Sequence, residues 1–181
     1  YEGSFFASEN HGKGKKYDED GLVYEGEFFA GECHGEGKKY DKTGLVYEGE
    51  FFNGKYHGNG EKYNNKILEY KGNFFDGNYH GSGIEYDKIT GKIKYNGNFS
   101  NGKYEGNGKL YNNGVLSYDG AFLNNKFHGQ GKYYDITTKK ILYAGEFSNH
   151  KYEGKGKLYD LINDSVKCEG IFSNNKFIGN K

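Results

Sequence analysis

The sequence predicts an all-β protein, an elongated single-layer antiparallel sheet of stacked β-hairpin repeats. Three observations carry this: self-similarity at a period of 23 to 25 residues, aromatic and polar residues alternating within each repeat, and glycine at fixed places in every repeat. Repeats begin at Tyr1, Tyr24, Tyr47, Tyr70, Tyr95, Tyr118 and Tyr143, four of 23 residues and three of 25, and a partial one of 14 begins at Cys168. The domain organisation expected is therefore one array, 1–23, 24–46, 47–69, 70–94, 95–117, 118–142, 143–167 and 168–181. Because the chain opens on Tyr1 and stops inside a repeat, we expect a piece of a longer array.

Each repeat opens on Y-x-G-x-F. The two-residue strand period puts positions one, three and five on one face and positions two and four, such as Glu25 and Glu27, on the other. Asn53-Gly54, Asp76-Gly77 and Asn101-Gly102 follow, pairs that tolerate positive φ, so the chain turns back antiparallel. The returning strand reads [Y/F]-[H/E]-G-x-G-x-x-Y and ends in a second turn, as at Thr43-Gly44 and Asn113-Gly114, where the longer repeats hold their extra residues.

Positions one, five, ten and seventeen hold 28 of the 33 aromatic residues, and positions three, twelve and fourteen hold 23 of the 31 glycines. Glycine on the aromatic face lets a ring from a neighbouring hairpin lie over bare backbone. The phenylalanines of position five, Phe5, Phe28, Phe51, Phe74, Phe99, Phe122, Phe147 and Phe172, are expected to form one buried column. One hairpin buries too little to offset the entropy of ordering it, so the repeats must stack. At about 4.8 Å per strand the sheet would be roughly 70 to 75 Å long.

Composition excludes several classes. There are 31 Gly in 181 residues but no Pro, which rules out collagen and proline-rich coil. All 25 cations are Lys, balanced by 25 Asp and Glu, and without Arg or net charge no nucleic-acid partner is expected. No run approaches 18 apolar residues. Two cysteines are too few for a disulfide framework and point to a reducing, cytoplasmic setting.

The pattern YEGEFxNGKxHGxGxxxY, carried by the repeats from Tyr24 and Tyr47, resembles the MORN (membrane occupation and recognition nexus) repeat over the whole chain. The resemblance implies hairpins in a single-layer array of the kind found in scaffold, junction and cytoskeletal proteins and beside kinase or methyltransferase domains. A chain made only of such repeats is similar to the scaffold proteins at cytoskeletal rings and poles of protozoan parasites. It departs from the pattern at Asn10 and Cys33, where position ten lacks an aromatic ring, and at Cys168 and Ile178 in the last repeat.

No enzyme or cofactor is expected. H-G-x-G lacks the third glycine and the helix of a phosphate loop. Carboxylate pairs such as Glu48 and Glu50 lie on the solvated face, where nothing raises a pKa. His11, His34, His57, His80 and His128 share position eleven, about 10 Å apart by strand spacing and too far for one metal. A zinc shared between chains would need Cys33 and His34 with Cys168 of a second copy, yet adjacent residues of a strand point to opposite faces.

Charge is uneven: residues 1–94 hold 13 Lys against 17 acids, residues 95–181 hold 12 against 8. Position nine changes from Glu9 and Glu32 to Lys103, Lys126, Lys151 and Lys176, a row at the hairpin turns that is solvated or meets anionic lipid weakly. The last repeats become apolar through Leu158, Leu161, Ile162, Val166, Ile171, Phe177 and Ile178. Such an accumulation marks an interface, and a homodimer through the C-terminal repeats is expected. The sequence thus predicts a self-associating scaffold for cytoskeletal or scaffold partners, with a peripheral phosphoinositide-binding module as the alternative.

Overall fold

The protein is described by a computed structural model covering residues 1–180. Residues 1–91 form one compact half and those from Lys92 onward a second. The N-terminal half contains β1 (Glu2–Phe6), β2 (Glu9–Asp18), β3 (Gly21–Phe29), β4 (Glu32–Asp41), β5 (Gly44–Phe52), β6 (Lys55–Asn64), β7 (Ile67–Phe75) and β8 (Asn78–Tyr86). The C-terminal half contains β9 (Ile93–Ser100), β10 (Lys103–Asn112), β11 (Val115–Leu123), β12 (Lys126–Tyr134), β13 (Ile141–Ser148), β14 (Lys151–Tyr159), β15 (Val166–Ser173) and β16 (Lys176–Gly179). Within each half every strand pairs antiparallel with the next, so each repeat is one hairpin of an all-β meander.

The hairpin tips are two-residue turns with both residues left-handed: Asn53 and Gly54 at φ 47° and 74°, Asn149 and His150 at 49° and 68°. This is the turn whose twist matches the flanking strands. In the longer repeats the second turn winds once. Gly91 N–H donates to the Asp87 carbonyl at 2.8 Å, while Asp87 Oδ1 accepts from the Thr90 amide and hydroxyl, both at 2.8 Å.

The tyrosine of position one organises the core. The Tyr24 ring lies along its own hairpin, over the paired Gly26 and Gly37, and its hydroxyl donates to the Glu27 carbonyl at 2.9 Å. A Cβ at Gly37 would meet Tyr24 Cζ at 2.6 Å. Tyr47, Tyr70, Tyr95, Tyr118 and Tyr143 repeat the arrangement, each donating to the carbonyl three residues on. The ring that covers the glycines therefore comes from the same strand, not from the neighbouring hairpin as the sequence suggested.

Phenylalanine then links hairpins. Phe51 stands edge-on to Tyr47 of its own repeat at 5.0 Å and to Tyr24 of the preceding one at 5.1 Å. Position ten lies flat on position one: Tyr47 on Tyr56, Tyr118 on Phe127 and Tyr143 on Tyr152, each at 3.8 Å. The column of position five is buried from Phe28 to Phe172, but Phe5 is 62% exposed because no tyrosine packs on it from a preceding hairpin.

Two features depart from simple alternation. Gly26 pairs with Gly37 but Glu27 pairs with His34, so β4 carries two extra residues, Gly35 and Glu36, in a bulge where Gly35 has φ 58°. Glycine at position twelve thus supplies a left-handed residue within a strand. A second bulge lies in the partner strand, where Lys16 pairs with Tyr24 but Tyr17 with Leu22, leaving Val23 extra; Tyr17 itself reaches the outer face by alternation from Gly14, its hydroxyl donating to Glu2 at 2.9 Å as that of Tyr63 does to Glu61.

Replacing Phe99 by Ala is expected to cost about 3 to 5 kcal/mol in urea unfolding, and replacing exposed Phe5 under about 1 kcal/mol. Burial pushes the Tyr143 phenol up to about 12, and those of Tyr24, Tyr47 and Tyr118 further. A phenol raised on folding contributes stability in full below its ordinary value of about 10 and loses it as pH rises through the folded value. Stability followed by circular dichroism should therefore fall between about pH 10 and 12, and less steeply in Tyr143→Phe.

Candidate functional site

The aromatic face is filled, so the hairpin tips and the outer face are what each half presents. At the tips, Lys103 donates to Asn124 Oδ1 at 3.3 Å, Lys126 to Asn149 Oδ1 at 3.2 Å and Lys151 to Asn174 Oδ1 at 2.8 Å. Each of these ammonium groups of position nine is thus tied to the first turn residue of the next hairpin. Lys176 is exposed in the last hairpin. The bond partner is a neutral amide, so the exposed row Lys103, Lys126, Lys151 keeps its charge.

A second tie joins neighbouring tips. Asn125 and Asn175 accept from the Tyr104 and Tyr152 amides at 2.7 Å, and in the same place His150 Nδ1 accepts from the Phe127 amide at 3.4 Å. Burial and the Lys126 ammonium hold the His150 imidazole below the usual histidine range.

The Cys33–His34 pair divides between the faces. Cys33 lies opposite Phe28 on the aromatic side, where burial pushes its thiol up, while His34 lies on the outer face between Phe29 and Phe52, at 5.6 and 5.1 Å. Cys168 pairs with Leu158 in the C-terminal half. Among the described residues no group of three His, Cys, Asp or Glu is brought together as metal ligands.

His34 belongs to a ladder that the four aromatic columns conceal. Position six carries Phe6, Phe29, Phe52 and Phe75, and these alternate with His11, His34, His57 and His80 along the outer face at ring separations of 5.1 to 5.6 Å. Phe29 and Phe52 are 56% and 51% exposed, and His34 Nδ1 is buried without a hydrogen-bond partner. In the C-terminal half position six is Ser100, Leu123, Ser148 and Ser173. The signal lay in the Phe-Phe doublets of the first four repeats, where the second phenylalanine has the parity of the solvated residues.

The sequence also hid one buried carboxylate. Glu69 stands where other repeats have Val23 or Val46, and it accepts from Tyr79 and Lys88 at 3.0 Å and from Lys62 at 3.5 Å. Burial pushes its pKa up, but Lys88, Lys62 and Tyr79 outweigh this and hold it below the usual range. Its bonds staple β6, β7 and β8.

The apolar residues of the last repeats do not form one surface. Phe177 packs on Phe172 at 5.4 Å, and Leu158 pairs with Cys168, on the aromatic side, whereas Val166 pairs with Tyr159 across a bulge at Lys167 and lies on the outer face. Ile171 and Ile178 are also on the outer face, and Leu161 and Ile162 lie in the turn before β15. The strand period alone separates Phe177 from Ile171 and Ile178, but the bulge at Lys167 had to be seen to place Val166.

Over the glycine floor the outer face forms shallow grooves. One of about 530 Å³ in the N-terminal half lies among Glu2, Lys15, Glu25, Lys38 and Glu48, where Lys15–Glu25 and Lys38–Glu48 pair at 3.2 and 2.9 Å. One of about 1010 Å³ in the C-terminal half is lined by Lys132, Lys155 and Lys157 together with Asp119, Glu146 and Glu169. Divided at Gly91, the halves hold 11 Lys against 17 acids, net −6, and 14 Lys against 8, net +6.

Hairpins stacked by a repeated aromatic core, with charged open surfaces on each half, define a β-hairpin repeat protein. The MORN repeat matches residues 1–23, 24–46, 47–65, 70–88, 95–115, 118–136 and 143–160, and the chain belongs to that family. MORN repeats are a non-catalytic repeat type known in protein–protein and membrane-interaction modules. No curated protein matches the chain.

A histidine whose folded pKa is depressed contributes stability above its ordinary value of about 6.5 and loses it as pH falls through the folded value. The C-terminal half should therefore weaken in thermal melts below about pH 6.5. The variant His150→Asn, which installs the residue found at 125 and 175, should flatten that dependence.

Proposed function

We propose that the array is a non-enzymatic structural scaffold, self-associating through its C-terminal repeats and offering its outer face to other proteins of a cytoplasmic, cytoskeleton-associated assembly. One observation carries the self-association. An isoleucine of the last hairpin stands in solvent, Ile178 at 65% exposure, where the earlier repeats have Glu or His. Isoleucines in such a place lose hydration cost when a second surface covers them.

A second reading, a peripheral module on anionic membranes, is favoured by the row Lys103, Lys126, Lys151 at the hairpin tips of the positive half. About 1 kcal/mol per lysine near a charged surface makes this weak and salt-sensitive.

Light scattering after size exclusion at about 50 μM should give the mass of a dimer, a concentration that populates even micromolar association. Ile171→Glu with Ile178→Glu should shift it to the monomer. A monomeric parent, or a dimer that this variant leaves intact, contradicts the reading. Co-sedimentation with phosphoinositide vesicles that persists at about 0.3 M salt, where exposed charges are screened, would put the membrane reading first.

A further inference from the structure

We propose that the Phe–His ladder of the N-terminal half is a docking surface for a basic amphipathic helix. The inference rests on the array being a protein-binding scaffold, but not on its self-association.

Four exposed phenylalanines in line are costly to leave in water, and none is needed by the core, which lies on the other face. Position six is Ser100, Ser148 and Ser173 in the other half, so the fold does not require an aromatic ring there. Exposed aromatic rows of this kind anchor protein partners.

The carboxylates beside the ladder select the partner's charge. Glu9 and Glu32 are the cross-strand neighbours of Phe6 and Phe29 on the side of the tips. Glu27, Glu36 and Glu50 lie toward the strand centres on the same face. Among the described residues none of these five forms an ion pair, whereas the next row inward is neutralised by Lys15–Glu25 and Lys38–Glu48. A partner with lysine or arginine on both flanks of an apolar stripe would pair carboxylates that have no internal cation. The half's net charge of −6 opposes an anionic membrane and also opposes the same half of a second copy.

The spacing selects a helix. Rungs of the ladder recur at about 4.8 Å, the separation of neighbouring strands, and an α-helix laid along it brings its apolar stripe round every 5.4 Å or so. A helix of about 18 residues, roughly 27 Å long, would cover about six rungs, its residues at i, i+3, i+4 and i+7 against the rings and its basic flanks over the carboxylates.

The probe is a fluorescent 18-residue helix with a leucine stripe and lysine flanks, titrated with the full chain by anisotropy. Binding should weaken by about thirtyfold in Phe29→Ser with Phe52→Ser, the loss of two anchoring aromatics. It should weaken severalfold in Glu27→Gln with Glu50→Gln, with a shallower salt dependence. The same helix with glutamate flanks should not bind. If the serine pair lowers the melting temperature of the chain, the glutamine pair and the glutamate helix decide by themselves. Affinity within twofold of the parent in both variants, or equal binding of the glutamate helix, overturns the proposal. So does a serine pair that abolishes dimerisation, which would make a second copy the occupant, or vesicle binding, which would make it a lipid surface. A chain that is monomeric yet binds the lysine helix as described refutes the self-association and leaves this surface standing.

Discussion

A tyrosine laid flat across two paired glycines is the constraint on which everything else in this protein depends. To reach the carbonyl of residue 27, 50 or 121, the ring of Tyr24, Tyr47 or Tyr118 must pass over a cross-strand pair without side chains. Glycine at positions three and fourteen gives it that path. The ring then has one free face, which position ten covers by stacking, and an edge on which Phe of the next repeat stands. Each hairpin thus finishes the core of its neighbour, and the absence of any covering layer in each half follows from how completely rings and glycines fill that face.

The same arrangement frees the outer face from structural duty. On a constant frame the two halves write different chemistry: phenylalanine, histidine and unpaired carboxylates in the first, serine and lysine in the second. At the tips the first half has Ser8 and then Gly31, Gly54 and Gly77 at the second turn position, and at these three glycines only the amide bonds the preceding hairpin. In the second half Gly102 keeps that place in the first tip, and Asn125, His150 and Asn175 take it in the other three, their side chains adding an acceptor. Binding preferences can therefore change from repeat to repeat without disturbing the core, a property of repeat arrays in general.

Much of this was legible in the residues. The period, the strands, the tight turns at Asn53-Gly54 and Asp76-Gly77, and the separation of Cys33 from His34 all follow from alternation and turn chemistry. What stayed hidden is where strict alternation breaks. Gly35 reads as a packing glycine, but its left-handed φ inserts a bulge, and a second bulge makes Val23 and Glu69 the extra residues opposite Tyr17 and Tyr63. Phe29 was hidden beside Phe28, although the pair must face opposite sides. The buried Glu69 replaces a valine and can be recognised only once Lys62, Lys88 and Tyr79 are seen to converge on it.

The most direct measurement is a double-mutant cycle between Tyr118 and Gly131. A Cβ at Gly131 would lie 2.6 and 2.7 Å from Cζ and Cε2 of Tyr118, and its three nearest neighbours all belong to that ring. If the ring is what demands the glycine, Gly131→Ala costs about 3 kcal/mol in the parent, at the upper end of overpacking penalties. In the Tyr118→Ala background the same change should then cost under about 1 kcal/mol, a coupling of the size expected for residues in contact. Equal costs in the two backgrounds would mean that the glycine serves the backbone alone and that the tyrosine does not set the design of the repeat.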